Sequence, residues 1–226
     1  MSGSLYTELL DLACGAFLLA AVVVLWRREL AAIVRVFALQ GIALAVIAVL
    51  LGAHEERWDL IGVGIGVGVL RAGVLPYLMR RALAALAADR VHSEEVRETQ
   101  PLVNVAASLL TAALLTLLAY AVARPLTELN PTSATRALPV GLAVVLIGFF
   151  VLVTRRRALA QVVGFLLLDN GITATAFLAT SGVPLIVELG VSFDVLLAVL
   201  VLQILATRMR EAFGTTDIDD LRELHD

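Results

Sequence analysis

Four residues, far apart in this sequence, could do charge chemistry where charge is hardest to place. Arg71, Asp169 and Asp194 each sit near the centre of a long apolar run, and Gln40 sits near the middle of another; Asn170 directly follows Asp169. An arginine or aspartate at the centre of a bilayer-spanning helix costs about 2.5–3.5 kcal/mol on an insertion scale. Such groups persist when they face the interior of a helix bundle, pair with one another, or line a polar path. A carboxylate can take up and release a proton, whereas an arginine stays charged. An arginine held beside a carboxylate keeps it ionised, and on moving away lets it bind a proton. That is the chemistry of an ion relay. A static pair of Arg71 with Asp169 or Asp194, fixing helix register, would use the same residues without moving a proton. Glu188, Asp11, Arg35, Gln203 and Arg208 lie nearer the ends of their runs. Asn104, Thr111 and Thr116 share one run and are candidate interhelical hydrogen-bond partners.

The elements that must position these groups are transmembrane helices. Of the 226 residues, 60% are hydrophobic and only 16% charged, and the mean hydropathy is +0.95. Soluble domains are about 45–50% apolar and about 25% charged, so a bilayer rather than a soluble core must hide this surface. A spanning helix needs roughly 20 mostly apolar residues. Seven segments qualify, at about Glu8–Trp26, Leu30–Ala53, Leu60–Met79 (continuing toward Leu86), Leu102–Ala123, Leu138–Thr154, Ala158–Thr180 and Pro184–Thr207. Arg71 lies eleven residues into the third, about 16 Å of helical rise, and Asp194 lies ten residues into the seventh. The fold expected is an all-α polytopic bundle in a single membrane domain. The segment 87–101 reads as a polar loop and 208–226 as a tail.

Arginine supplies every basic residue, and its distribution sets an orientation. The connections after the first, third and fifth spans, with the C-terminal tail, hold Arg27, Arg28, Arg80, Arg81, Arg90, Arg97, Arg155, Arg156, Arg157, Arg208, Arg210 and Arg222. The opposite connections hold Arg57, Arg124 and Arg136. By the positive-inside rule the N-terminus is outside and the C-terminus cytoplasmic. The N-terminal residues before Glu8 carry no basic group, so the first apolar segment is expected to stay in the mature protein.

Other chemistries find little support. The single cysteine, Cys14, allows no internal disulfide and no thiolate metal site, and His54, His92 and His225 have no metal-ligand spacing and read as loop or tail residues. A net charge of −3 gives no footing for nucleic acid. Gly62, Gly64, Gly66 and Gly68 imitate a nucleotide-binding pattern, but inside a spanning helix they read as sites of close helix contact. Pro76, five residues after Arg71, removes a helical donor to the Ala72 carbonyl and reads as a kink.

Three segments together resemble a known family. They are Gln161-Val162-Val163-Gly164-Phe165-Leu166-Leu167-Leu168-Asp169-Asn170-Gly171-Ile172, the stretch from Pro184 through Glu188 and Asp194 to Leu200, and Phe213-Gly214-Thr215-Thr216-Asp217 with Leu221. They are similar to the hydrogenase-4 component E family, membrane proteins of group 4 nickel–iron hydrogenase (formate hydrogenlyase) complexes. The part at about 137–207 also resembles the small three-helix K-type subunit of respiratory complex I and its counterpart in multisubunit sodium/proton antiporters. The resemblance is strongest from about Arg155 to Leu221. The family carries Glu-Asn-Gly where this chain has Asp169-Asn170-Gly171, and lysine where Arg71 stands. Because arginine holds its proton, the second change argues against Arg71 as a proton carrier and leaves the charge pattern intact.

The resemblance implies a non-catalytic membrane-arm subunit of an oxidoreductase complex in a bacterial or archaeal cytoplasmic (inner) membrane. Arg71, Asp169, Asp194, Glu188, Gln40 and Asn170 would then belong to a hydrophilic axis coupling redox chemistry to proton or sodium translocation. Its partners would be antiporter-like and quinone-site-like membrane subunits and hydrogenase-like peripheral subunits. Iron–sulfur clusters and a nickel–iron centre would reside in those partners, with no cofactor in this chain. Two other functions use the same pattern: an assembly subunit with a static buried ion pair, and a stand-alone small ion transporter.

Overall fold

A computed structural model describes residues 3–27, 29–87, 104–155 and 158–180. Its elements are α1 (Gly3–Trp26), α2 (Leu30–His54), α3 (Trp58–Gly68), a π-helical segment (Val69–Val74), α4 (Leu75–Ala87), α5 (Val105–Leu129), α6 (Ser133–Thr154) and α7 (Ala158–Thr180). Six stretches are long and apolar enough to cross a membrane, with α3, the π segment and the start of α4 forming one of them over Trp58–Arg81. They correspond to the first six spans read from the sequence. The seventh, 184–207, lies outside the described residues, as do the loop and the tail.

Several boundaries move for local reasons. α6 starts at Ser133 rather than near Leu138 because Thr132 and Thr135 form a capping box, each side chain serving the other's backbone N–H. α5 runs through Pro125 to Leu129, beyond the expected end near Ala123, with an Arg124–Glu128 ion pair of 2.9 Å one turn apart. The third span does not break at Pro76. It widens instead: the Leu75 N–H bonds the Leu70 carbonyl five residues back, and the helix then continues to Ala87. Pro76 has no N–H to give, and a local π turn is one way a helix absorbs such a gap.

The spans pack in two rows, α1–α2–α3 beside α5–α6–α7, with α1 also against α6 and α2 also against α7. Glycine sets the tightest joins. Gly141 and Gly148 on α6 and Gly164 and Gly171 on α7 are each seven residues apart, and a Cβ on Gly164 would come within 2.6 Å of the Leu152 amide nitrogen. On the α2–α3 join, Gly52, Gly64 and Gly68 have the same role. The alternate glycines of the third span therefore divide: Gly64 and Gly68 face α2, whereas Gly62 and Gly66 face open space.

One end group differs from its sequence assignment, and a second has a further role. His54 closes α2 rather than lying in a loop, and its ring stacks on Tyr6 of α1 with centroids 3.8 Å apart. Arg155, counted above with a basic loop, is buried and donates to the Val24 and Leu25 carbonyls at 3.3 and 3.4 Å. It caps the C-terminal end of α1, where free carbonyls collect.

Candidate functional site

The site begins with a stripe on α2. Ile33, Phe37, Gln40, Leu44, Ile47 and Leu51 recur at helical spacing and are all buried. Gln40 is the polar member of that stripe. Its neighbour Gly41 brings the third span in: a Cβ there would lie 2.8 Å from the Arg71 carbonyl carbon and 2.9 Å from the Ala72 nitrogen. The absent side chain lets the π segment rest on α2, and Arg71 extends from that segment to α7.

There the guanidinium meets three groups from one helix face. Nη2 of Arg71 lies 2.9 Å from Asp169 Oδ2 and donates to Thr173 Oγ1 at 2.9 Å. Nη1 donates to Asn170 Oδ1 at 2.6 Å. Asn170 Nδ2 donates in turn to Gln40 Oε1 at 3.0 Å, and Gln40 Nε2 donates to the Phe17 carbonyl of α1 at 3.4 Å. Four spans thus meet in one polar chain. Arg71 is 1% exposed and Gln40 and Asn170 are 0% exposed, so this guanidinium is enclosed by protein groups. The Asp169 side chain retains 10% exposure, which puts the carboxylate at the rim of the cluster. Buried charges are tolerated when paired and hydrogen-bonded, and both conditions hold here.

The structure brings together Arg71, Asp169, Asn170 and Gln40. Asp194 and Glu188 lie outside the described residues, as do Gln203 and Arg208. Thr173 completes the guanidinium's surroundings and was not singled out by charge. Its spacing from Asp169, i to i+4, is the signal that puts it on the same face. Other candidates have local roles. Asn104 caps α5 by accepting from the Ala107 amide at 2.7 Å, and Thr111 and Thr116 bond back to carbonyls of their own helix. Asp11 and Arg35 are exposed, and Arg35 Nε reaches the Ala31 carbonyl at 3.3 Å. Among the described residues no three His, Cys, Asp or Glu side chains group as metal ligands would.

Six apolar spans among the described residues, four of which meet at a buried, charge-paired cluster, make this a multi-pass α-helical membrane protein with a polar centre. Over all 226 residues of both chains the sequence is 52% identical to the uncharacterized protein Rv0085 of Mycobacterium tuberculosis, and it belongs to the family of that protein. Over 115 residues it is 34% identical to hydrogenase-4 component E of Escherichia coli K12, a stretch covering 51% of this chain and 53% of that one; component E of Shigella flexneri matches to the same extent. The chain is thus related to hydrogenase-4 component E through about half the length of each. No protein-family profile matches the sequence, and no solved structure matches it.

Proposed function

We propose that this chain is a membrane-arm subunit of a hydrogenase-4-like or complex I-like assembly, in which its mid-membrane cluster takes part in coupling redox chemistry to proton translocation. The observation that carries this is the Arg71–Asp169 pair, placed between spans with the carboxylate at the rim and the arginine inside. An arginine cannot give up its proton, so the exchanging group is Asp169. Arg71 acts as a fixed charge beside it. When Asp169 binds a proton, the charge of the cluster rises by one, a step that neighbouring subunits can sense. The half-length match to hydrogenase-4 component E supports the kind of assembly. In this proposal the partners are antiporter-like and quinone-site-like membrane subunits together with peripheral redox subunits that carry the metal cofactors. The location is the cytoplasmic (inner) membrane.

A static role has its own support. Arg71 is bonded on both terminal nitrogens, a geometry that also suits a register-fixing pair. Gentle detergent extraction of native membranes, followed by sizing and identification of co-purifying chains, tests the subunit proposal. It predicts a large assembly containing antiporter-like and hydrogenase-like chains. A lone 24.0 kDa chain or a small homo-oligomer, under conditions that preserve other membrane complexes, would contradict it.

A further inference from the structure

The donors in the polar chain all point one way. Arg71 gives to Asn170, Asn170 gives to Gln40, and Gln40 gives to the Phe17 carbonyl. Each amide turns its oxygen toward the guanidinium side and its NH₂ away. Two side-chain amide dipoles are therefore aligned end to end behind the positive charge. A primary amide donates and accepts hydrogen bonds without titrating. This arm can polarise, but it cannot hand on a proton without forming a charged amide.

The arm also ends among buried apolar residues. Phe17 is 0% exposed, and so are Phe37 and Leu44, which flank Gln40 on the same face of α2. The opposite end of the chain is different: Asp169 uses Oδ2 on Arg71 and its side chain keeps residual exposure. The cluster is thus one-ended among the described residues, with a titratable group at the rim and a non-titrating amide arm at the back.

We propose that Gln40 and Asn170 are positioning residues: they hold Arg71 in its paired geometry and close the α1 side of the cluster to proton exchange, leaving Asp169 as the exchange group among the described residues. This rests on the proton-coupling function proposed above. The balance is simple. One proton adds to the Asp169 carboxylate to give the carboxylic acid, the cluster charge rises by one, and no proton leaves Arg71, Asn170 or Gln40.

The test uses the native complex in sealed membrane vesicles and compares Gln40→Met with Asp169→Asn, co-purification establishing assembly in each. Asp169→Asn should abolish proton translocation. Gln40→Met keeps the volume and removes the amide; it should keep translocation within about two-fold of wild type while shifting its pH profile, because Arg71 is held less firmly. Arrest by Gln40→Met in the assembled complex, to the same degree as Asp169→Asn, would put the amide arm in the proton path and overturn the proposal. If Gln40→Met does not assemble, Gln40→Leu, which also removes the amide, carries the same test with the same two outcomes. Normal translocation by Asp169→Asn would instead remove the underlying function, and the positioning role with it.

Discussion

α7 presents two different faces to its neighbours. Gly164 and Gly171 face α6, and that join is held by shape, with backbone nearly on backbone. Asp169, Asn170 and Thr173 face α2 and the π segment, and that join is held by charge and hydrogen bonds. At about 100° per residue the two sets fall on roughly opposite sides of the helix. Lipid tails are as apolar as leucine, so the glycine face gains its strength from close van der Waals contact. The polar face gains it from satisfying groups that have no good alternative in hydrocarbon. A shape-matched seam on one side leaves the other to carry the polar cluster.

The two joins should break differently. The largest effect belongs to the glycine seam. Gly148→Leu would drive a side chain into the backbone of Leu167–Leu168, and we expect α6 and α7 to part and the protein to vanish from the membrane fraction, measured by quantitative immunoblot. Removing half of the ion pair comes next. Arg71→Ala or Asp169→Ala breaks a buried ion pair by removing one member, at a cost of about 3–5 kcal/mol, read as a lower melting temperature in detergent. Replacing both at once with apolar residues should cost less than the two single changes added together, the coupling that a double-mutant cycle measures; simple additivity would mean the two charges do not interact.

Smaller changes sharpen the contrast. Thr173→Val removes one hydrogen bond to Arg71 and should cost about 0.6–1.7 kcal/mol, the range for interhelical bonds in membranes, again seen in the melting temperature. Gly66→Ala should be neutral or slightly stabilising, by up to about 1 kcal/mol, because nothing lies within 4 Å of a Cβ there. A loss of stability at Gly66 as large as at Gly148 would show that glycine content, and not close helix contact, matters in this bundle.

Much of this was legible in the sequence because a bilayer enforces simple rules. Apolar runs of spanning length gave the six described helices, and the cost of charge at mid-depth marked Arg71, Asp169, Asn170 and Gln40 before any contact was known. The contacts themselves were not legible. Composition left both Asp169 and Asp194 open as partners of Arg71; the 2.9 Å distance shows contact with Asp169, and Asp194 lies outside the described residues. Thr173 was missed because hydroxyls are cheap in a membrane helix and draw no notice by charge. Arg155 lies in the connection after α6 as the sequence placed it, but its bonds to the α1 carbonyls were not legible, because position in the chain does not say which helix end packs beside it. The π segment was missed because proline signals a lost donor without saying how the helix absorbs the loss.

The most direct test of the central claim is proton translocation by the intact complex carrying Asp169→Asn, in sealed vesicles with assembly verified. The substitution keeps the size and polarity of the side chain and removes its ability to ionise. The account predicts that redox turnover persists or slows while coupled proton movement is lost. Wild-type proton movement in the assembled variant would contradict it and leave the Arg71–Asp169 pair as a structural fastening alone.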